Sequence, residues 1–505
     1  MEDNIVKKKK NLLFLFTDQQ RRDTMEVYGN TFIHVPNLNE LAKDSCVFDR
    51  AYVSSPVCTP SRSTIVTGLY PHTNGMIKNN TTLADEFPAL AEMVKPSGYF
   101  TGYMGKWHLG NEVISQHGFD TWISIEDNYR KHYTKEEYKS CHSSYHEFLR
   151  SRGYQPDIKD KDGFERFSRM YSTRIPEKDS KPAFLADEAN KFISTYKEDP
   201  FVLFVNFLEP HPPYFSCFDD YYKPEEVPLP PAFLHPISDD KPFKYKVNAE
   251  NAKNFGRHEP LDSEIKWRQL IAKYYGSITL VDKYIGIIIQ HLKNCGLFDD
   301  TIIVFTSDHG DMLGDYGMLA KGCMLESASR VPFLIRIPGL TEKQIKISEP
   351  VCNIDIVPTL LDIMEVEKPK TLQGESLYPA ILGNESLKEK ERAVFMEYLN
   401  SRFAKGKVYT NTVTPNLADK YPGWQEILEK LYPDEMPERC IVSNDLFKLI
   451  MIKSGEYELY DLKNDPLEEN NLYYKADYAE KVVELRMLFE AWQKSTKDDV
   501  KFDFE

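Results

Sequence analysis

At 505 residues, 41% hydrophobic and 13% aromatic, the chain can bury the cores of two or three domains, which excludes a wholly disordered protein. A formal net charge of −15 excludes the basic field of a general nucleic-acid or anionic-membrane binder, so neither partner is expected. It leaves room for a small anionic substrate, because a bound cation and a few lysines reverse the potential locally.

The amino terminus, MEDNIVKKKKNLLFLFTDQQ, places a basic run before an apolar one, as a signal peptide does. The apolar part, Leu12 to Phe16, is too short for a secretory core and runs into Asp18. It reads as a solvated terminus followed by a first strand, with a cytoplasmic location expected, or a periplasmic one if an export signal has been trimmed away. No apolar run approaches the ~18 residues of a spanning helix.

The next informative stretch is SSPVCTPSRSTIVTGLYPH, residues 54–72. Pro60 suits a first helical turn, Thr59 can cap it and Gly68 can stop it. Cys58 then sits just ahead of a helix amino terminus, where free N–H groups favour negative charge, with Arg62 one turn in. A buried thiol, half of a disulfide and a thiolate nucleophile are the three ordinary readings. The eight cysteines (46, 58, 141, 217, 295, 323, 352 and 440) contain no C-x-x-C pair and suit free thiols in a reducing compartment. No pattern assigns Cys58 a His–Asn or His–Asp relay.

Four apolar runs have strand character and each leads into polar chemistry: LLFLFTDQQ from Leu12, YFTGYMGKWH from Tyr99, FVLFVNFLEPHPPY from Phe201 and TIIVFTSDHGD from Thr301. Continuous apolar residues indicate strands covered on both faces, as in a mainly parallel sheet between helices. Ligands bind such sheets beyond the carboxyl ends of the strands, so Asp18, Lys106, His108, His211, Asp308 and His309 converge on one rim. Residues 111–183 and the proline-rich 216–260 read as long excursions over the sheet edge. Residues 263–294 have helical spacing with Gly296 as a stop, and Gly276 or Gly286 is placed to divide them into two helices.

After Gly383 the texture changes. LFKLIMIKSGEYELYDL from Leu446 resembles an antiparallel hairpin turning at Ser454 and Gly455, and residues 479–494 a final helix. The expected architecture is α/β: residues 1–383 form a large, mixed, mainly parallel sheet sandwiched by helices. Residues 384–505 form a smaller carboxy-terminal α+β domain with an antiparallel sheet.

The pentapeptide C-T-P-S-R at Cys58 fits the C-x-P-S-R signature of the sulfatases. The resemblance continues through TDQQ at Thr17, GKWHLG at Gly105, PHPPY at Pro210, SDHGDMLGDYG at Ser307, the lysine of AKG at Lys321 and ELYDLKNDPLEENNL at Glu458. The motifs keep the family's order across most of the chain, which is identified as a member of the formylglycine-dependent sulfatases in the alkaline-phosphatase-like superfamily. The resemblance implies that a maturation enzyme converts Cys58 to 3-oxoalanine (formylglycine), whose hydrate delivers an oxygen to sulfur. It implies a metal, calcium with magnesium as the alternative, held by Asp18, Gln19, position 58, Asp308 and His309. Family members often have a second aspartate where Gln19 stands.

The resemblance further gives Arg62, Lys106 and Lys321 the neutralisation of charge, His211 protonation of the leaving alcohol, and His108 acceptance of the proton that releases sulfate. Lys106, His211 and Lys321 would also contact substrate, and Asn79, with Asn80, lies in a polar loop open to it. Chains that open TDQQ and read YPHTNG resemble bacterial carbohydrate sulfatases, including those acting on 2-O-sulfated uronic acids. The resemblance therefore implies a small sulfated saccharide as substrate, of glycosaminoglycan origin. The alternatives are a phosphonate monoester or phosphodiester hydrolase, whose members depart at the Lys106 and His108 positions, and a non-catalytic glycan-binding protein that keeps Cys58 as a thiol.

Overall fold

The computed structural model describes residues 8–257, 259–384, 386–388, 392–400 and 421–504. Its strands, in chain order, are β1 (Asn11–Asp18), β2 (Cys46–Tyr52), β3 (Phe100–Gly105), β4 (Thr121–Ser124), β5 (Ile158–Lys159), β6 (Glu165–Arg166), β7 (Phe201–Pro210), β8 (Thr301–Ser307), β9 (Arg330–Val331), β10 (Phe333–Arg336), β11 (Ile345–Cys352), β12 (Ala393–Asn400), β13 (Met436–Ser443), β14 (Phe447–Ile452) and β15 (Tyr457–Asp461). The large sheet runs β11-β2-β10-β8-β1-β7-β3-β4, with β9 paired to β2. Strands β8, β1, β7, β3 and β4 are mutually parallel neighbours, and β10 is antiparallel to both of its partners.

Strand β1 shows why its sequence is apolar without alternation. Leu13 and Leu15 pack into one core with the helices Lys181–Thr195 and Glu264–Asn294, whereas Leu12, Phe14 and Phe16 pack on the opposite face. Successive residues point to opposite faces, so a strand covered on both sides must be apolar throughout. The four strands whose ends carry polar motifs are adjacent in the order β8-β1-β7-β3, which brings those motifs to one edge.

Two sequence expectations change. Residues 264–294 form one unbroken helix, because Gly276 and Gly286 serve close approach instead of interruption. A Cβ at Gly276 would lie 2.3 Å from the Phe218 carbonyl oxygen, and one at Gly286 2.2 Å from Asn37 Oδ1. The proline-rich excursion also holds a helix of its own, Phe243–Phe255.

The second sheet is antiparallel, β12-β13-β14-β15, with the expected β14–β15 hairpin and the helix Ala479–Thr496 against it. All eight cysteines are unpaired, and no helix among the described residues is long and apolar enough to cross a membrane.

Candidate active site

Parallel pairing fixes the first two carboxylates. Asp18 ends β1 and Asp308 follows β8, and the Asp308 N–H donates to the Thr17 carbonyl at 3.2 Å. Gln19 turns away at φ 74, and its N–H donates to Asp308 Oδ1 at 3.0 Å. Its side-chain Nε2 donates to the Asp311 carboxylate and to the Tyr214 hydroxyl at 3.3 Å. Tyr214 itself donates to Asp311 Oδ2 at 2.7 Å. With the amide nitrogen so engaged, Oε1 faces the site and accepts from Lys321 Nζ at 2.6 Å. Asp311 and Tyr214 were not singled out from the sequence, although both lie inside the SDHGD and PHPPY motifs.

Cys58 is the first residue of the helix Cys58–Thr67, not a residue ahead of it. Thr59 is therefore inside the helix and cannot cap it, since a cap folds its oxygen back from the preceding position. Its hydroxyl donates instead to the His108 carbonyl at 2.8 Å, while Asn79 Oδ1 accepts the Thr59 N–H at 2.9 Å. Asn79 is thus tied to the helix start, and it is Asn80 whose Oδ1 meets His108 Nε2 at 3.0 Å. Cys58 Sγ lies 2.9 Å from Lys321 Nζ, 3.3 Å from His309 Nε2 and 3.8 Å from Asp18 Oδ1. Burial and Asp18 push this thiol up, but Lys106, Lys321 and His309 prevail and bring it down to about 6.

Three cations surround the carboxylates. Arg62 bridges them, with Nη2 2.7 Å from Asp18 Oδ2 and Nε 2.8 Å from Asp308 Oδ2, and its Nη1 donates to the Lys106 carbonyl at 2.8 Å. Lys106 Nζ, just past β3, reaches Asp18 Oδ2 at 2.6 Å. Burial alone would raise Asp18, yet Lys106, His211, Arg62 and Lys321 hold it well below the usual carboxylate range.

The donor set suits a divalent cation. His309 Nδ1 lies 2.9 Å from the Gly310 carbonyl, which only accepts, so Nδ1 carries the ring proton. The Nε2 lone pair then faces Asp308 Oδ1 at 3.5 Å, and fixing the tautomer in this way is what a metal-binding imidazole requires. One donor atom each from Asp18, Cys58, Asp308 and His309 falls within 4.8 Å of the others. Two carboxylates and an amide oxygen, with one imidazole, match a hard cation better than a soft one.

The two histidines stand in different settings. The His108 ring stacks on Tyr129 at 4.0 Å between centroids, the residue's backbone N–H donates to Glu112 Oε1, and the ring Nδ1 has no hydrogen-bond partner among the described residues. Burial, then Lys106 and Arg62, keep it well below the usual imidazole value and so neutral. His211 follows β7, with Nδ1 2.7 Å from the Pro212 carbonyl and 3.2 Å from Arg169 Nη1. Arg169 is fixed by Glu126 at 2.6 Å and by the Tyr129 hydroxyl at 2.9 Å. These three residues come from the 111–183 excursion, and no motif in the sequence marks them.

What this arrangement offers an incoming tetrahedral anion is charge stabilisation at preset positions around Cys58. The sheet order, with the site at its carboxyl edge, is the alkaline-phosphatase-like fold. The chain belongs to the sulfatase family, whose model, described as Sulfatase, matches residues 10–366, and it is a sulfuric ester hydrolase. It is 27% identical over 540 residues to an N-acetylglucosamine-6-O-sulfatase of Bacteroides thetaiotaomicron, covering 97% of this chain and 88% of that one. Among solved structures, it resembles a protein in complex with its substrate D-glucosamine-2-N,6-O-disulfate (TM-score 0.72, 24% identity, 97% of this chain and 99% of that one). It also resembles the phosphonate monoester hydrolase of Silicibacter pomeroyi (TM-score 0.76, 23% identity, 97% and 96%). These two likenesses speak to the fold alone.

Proposed function

We propose that the protein removes an O-linked sulfate from a small sulfated saccharide of the glycosaminoglycan type. The observation that carries this reading is the convergence on position 58 of Lys321, 2.9 Å from Cys58 Sγ, with Lys106 and Arg62 both on Asp18. The sulfatase family generally uses a metal ion and formylglycine. We assign formylglycine to Cys58, installed by a separate maturation enzyme, and a cation, calcium before magnesium, to Asp18, Gln19, Asp308 and His309. Once in place, these two groups supply the attacking oxygen and neutralise charge around it.

The chain's own side chains do the rest. Lys106 and Arg62, fully buried, hold Asp18 ionised, and Lys321, at the site's opening, reaches the sulfate oxygens. His211 carries its Nδ1 proton toward Pro212, so Nε2 is the atom that delivers a proton to the leaving alcohol oxygen. His108 donates through Nε2 to Asn80, which leaves Nδ1 as the atom that accepts one. On the leaving-group side, Arg169 and Tyr129 present a guanidinium and an aromatic ring, groups that suit a sugar bearing a further anionic substituent. The relative named for N-acetylglucosamine-6-O-sulfate favours an amino-sugar 6-O-sulfate, while the TDQQ and YPHTNG motifs lean to a uronate 2-O-sulfate.

The test is a panel assayed for free sulfate with protein co-expressed with a formylglycine-generating enzyme. It contains 6-O-sulfated glucosamine, a 2-O-sulfated uronate disaccharide, an aryl sulfate and a phenylphosphonate ester. A saccharide O-sulfate is expected to give the highest kcat/KM. A higher value on the phosphonate ester overturns the reading, and full activity with Cys58 left as a thiol, read by peptide mass spectrometry, overturns the nucleophile.

A further inference from the structure

We propose that Glu112 is a positioning residue for His108: its carboxylate ties down the turn at Trp107 and His108 and so sets where the ring accepts the proton that releases sulfate. This rests on the reading of His108 as that proton acceptor.

His108 has φ 59, a backbone conformation that residues other than glycine rarely adopt. Such a turn persists only where its surroundings over-determine it. On the near side, the Lys106 carbonyl accepts from the Tyr103 hydroxyl at 2.6 Å and from Asn206 Nδ2 at 2.8 Å. At the turn itself, Glu112 Oε2 accepts the Trp107 N–H at 2.9 Å, and Oε1 accepts that of His108. The His108 carbonyl in turn accepts from Thr59 Oγ1 at 2.8 Å. Asn80 and Tyr129 orient the ring, but the backbone that carries it depends on Glu112 for both N–H groups.

Glu112 lies four residues past His108, outside the GKWHLG stretch, and is fully buried. Burial, with Glu126 adding to it, pushes its carboxyl up to about 7 against the pull of the two N–H groups and of Lys106. A group so costly to ionise needs a reason to be there, and the reason is its pair of acceptors. Glutamine offers one oxygen and would turn its own N–H groups toward the second donor. Aspartate is a methylene too short to span both.

The test uses full-length protein co-expressed with a formylglycine-generating enzyme, supplied with calcium and assayed on an activated aryl sulfate above about pH 8, where the Glu112 carboxyl is ionised. Slowing sulfate release, and not alcohol release, lowers kcat and KM together and leaves kcat/KM nearly unchanged. Glu112→Gln is expected to show that split, with kcat down about 10²-fold and a burst of aryl alcohol before the steady state. In a His108→Ala background the same substitution is expected to cost nothing further. Without substrate, amide hydrogen exchange over residues 106–110 is expected to be faster in Glu112→Gln than in the wild type.

Full kcat in Glu112→Gln overturns the proposal, as does a fall in kcat/KM equal to that in kcat, or losses that multiply in the double variant. Exchange that is unchanged over residues 106–110 overturns it as well. If neither Glu112→Gln nor Glu112→Asp folds, Glu112 belongs to the fold alone and the proposal falls. A His108→Ala enzyme with full kcat overturns the reading of His108 and the proposal with it, whereas a crippled His108→Ala beside an unaffected Glu112→Gln overturns the proposal alone.

Discussion

At His211 the Pro212 carbonyl lies closer to Nδ1, at 2.7 Å, than the Arg169 guanidinium at 3.2 Å, and the nearer partner assigns the proton. Pro212 O accepts at 2.7 Å, so Nδ1 keeps a proton and Nε2 is the exchangeable atom. Burial, with Lys321, Lys106 and Arg169 adding to it against Asp18, holds the ring well below the usual imidazole value. A depressed imidazole gains its second proton only as the pH falls below about 6.5. For poor leaving groups that need the acid, kcat/KM is therefore expected to rise toward acid pH. His211→Ala is expected to flatten that rise and to cost about 10²-fold or more on alkyl sulfates, with a much smaller loss on activated aryl sulfates. Equal losses on both classes would contradict the assignment. Residues such as Asp18, Lys106, His211 and Asp308 were legible because each follows an apolar strand inside a short motif. Arg169, Tyr129 and Glu126 were not, because long-range contacts place them: Glu126 with Lys181 at 2.8 Å, Arg169 with His211.

Among the elements, the helix Glu264–Asn294 braces the turn that follows β1. It covers one face of the sheet, and its Tyr274 hydroxyl accepts the Arg21 N–H at 2.8 Å and donates to the Gln19 carbonyl at 2.7 Å. Gly276, two residues on, lets the Phe218 backbone approach. By propensity alone, Gly276→Ala would stabilise a helix by up to about 1 kcal/mol. Here the added methyl meets a carbonyl oxygen at 2.3 Å, and a backbone atom cannot rotate away. A net loss of about 1–3 kcal/mol is expected in urea unfolding. Gly286→Ala should cost less, because its obstacle is the Asn37 side chain. A more stable Gly276→Ala protein would reject this account. Strand identity was readable locally, since burial on both faces leaves a continuous apolar run. The uninterrupted helix was not, because a glycine needed for close packing looks the same in sequence as one that ends a helix.

Across the whole molecule, the two sheets share one core. Ile441, Leu449 and Tyr460 of the small sheet cluster with Tyr52 of the large one and with Met312, Met318 and Leu325 of the segment between β8 and β9. Lys448 lies wholly buried in that seam, 3.0 Å from Glu326 and 2.8 Å from Glu468. Glu326 sits five residues beyond Lys321, so the seam also anchors the segment that brings Lys321 to position 58. Burial, with Glu326 adding to it against the pull of Lys448, pushes Glu468 up to about 7. A carboxyl raised on folding contributes stability that is full below its unfolded value and is lost as the pH rises through the folded one. Lys448→Met removes the only cation paired with both carboxylates in the described structure and leaves them facing each other in the seam. Breaking a buried pair in this way is expected to cost about 3–5 kcal/mol at pH 8, measured by urea unfolding. The deficit should shrink as the pH is lowered toward 5 and the carboxyls take up protons. A deficit that is the same at both pH values would show that the seam is held by its apolar contacts, with Lys448 a passenger.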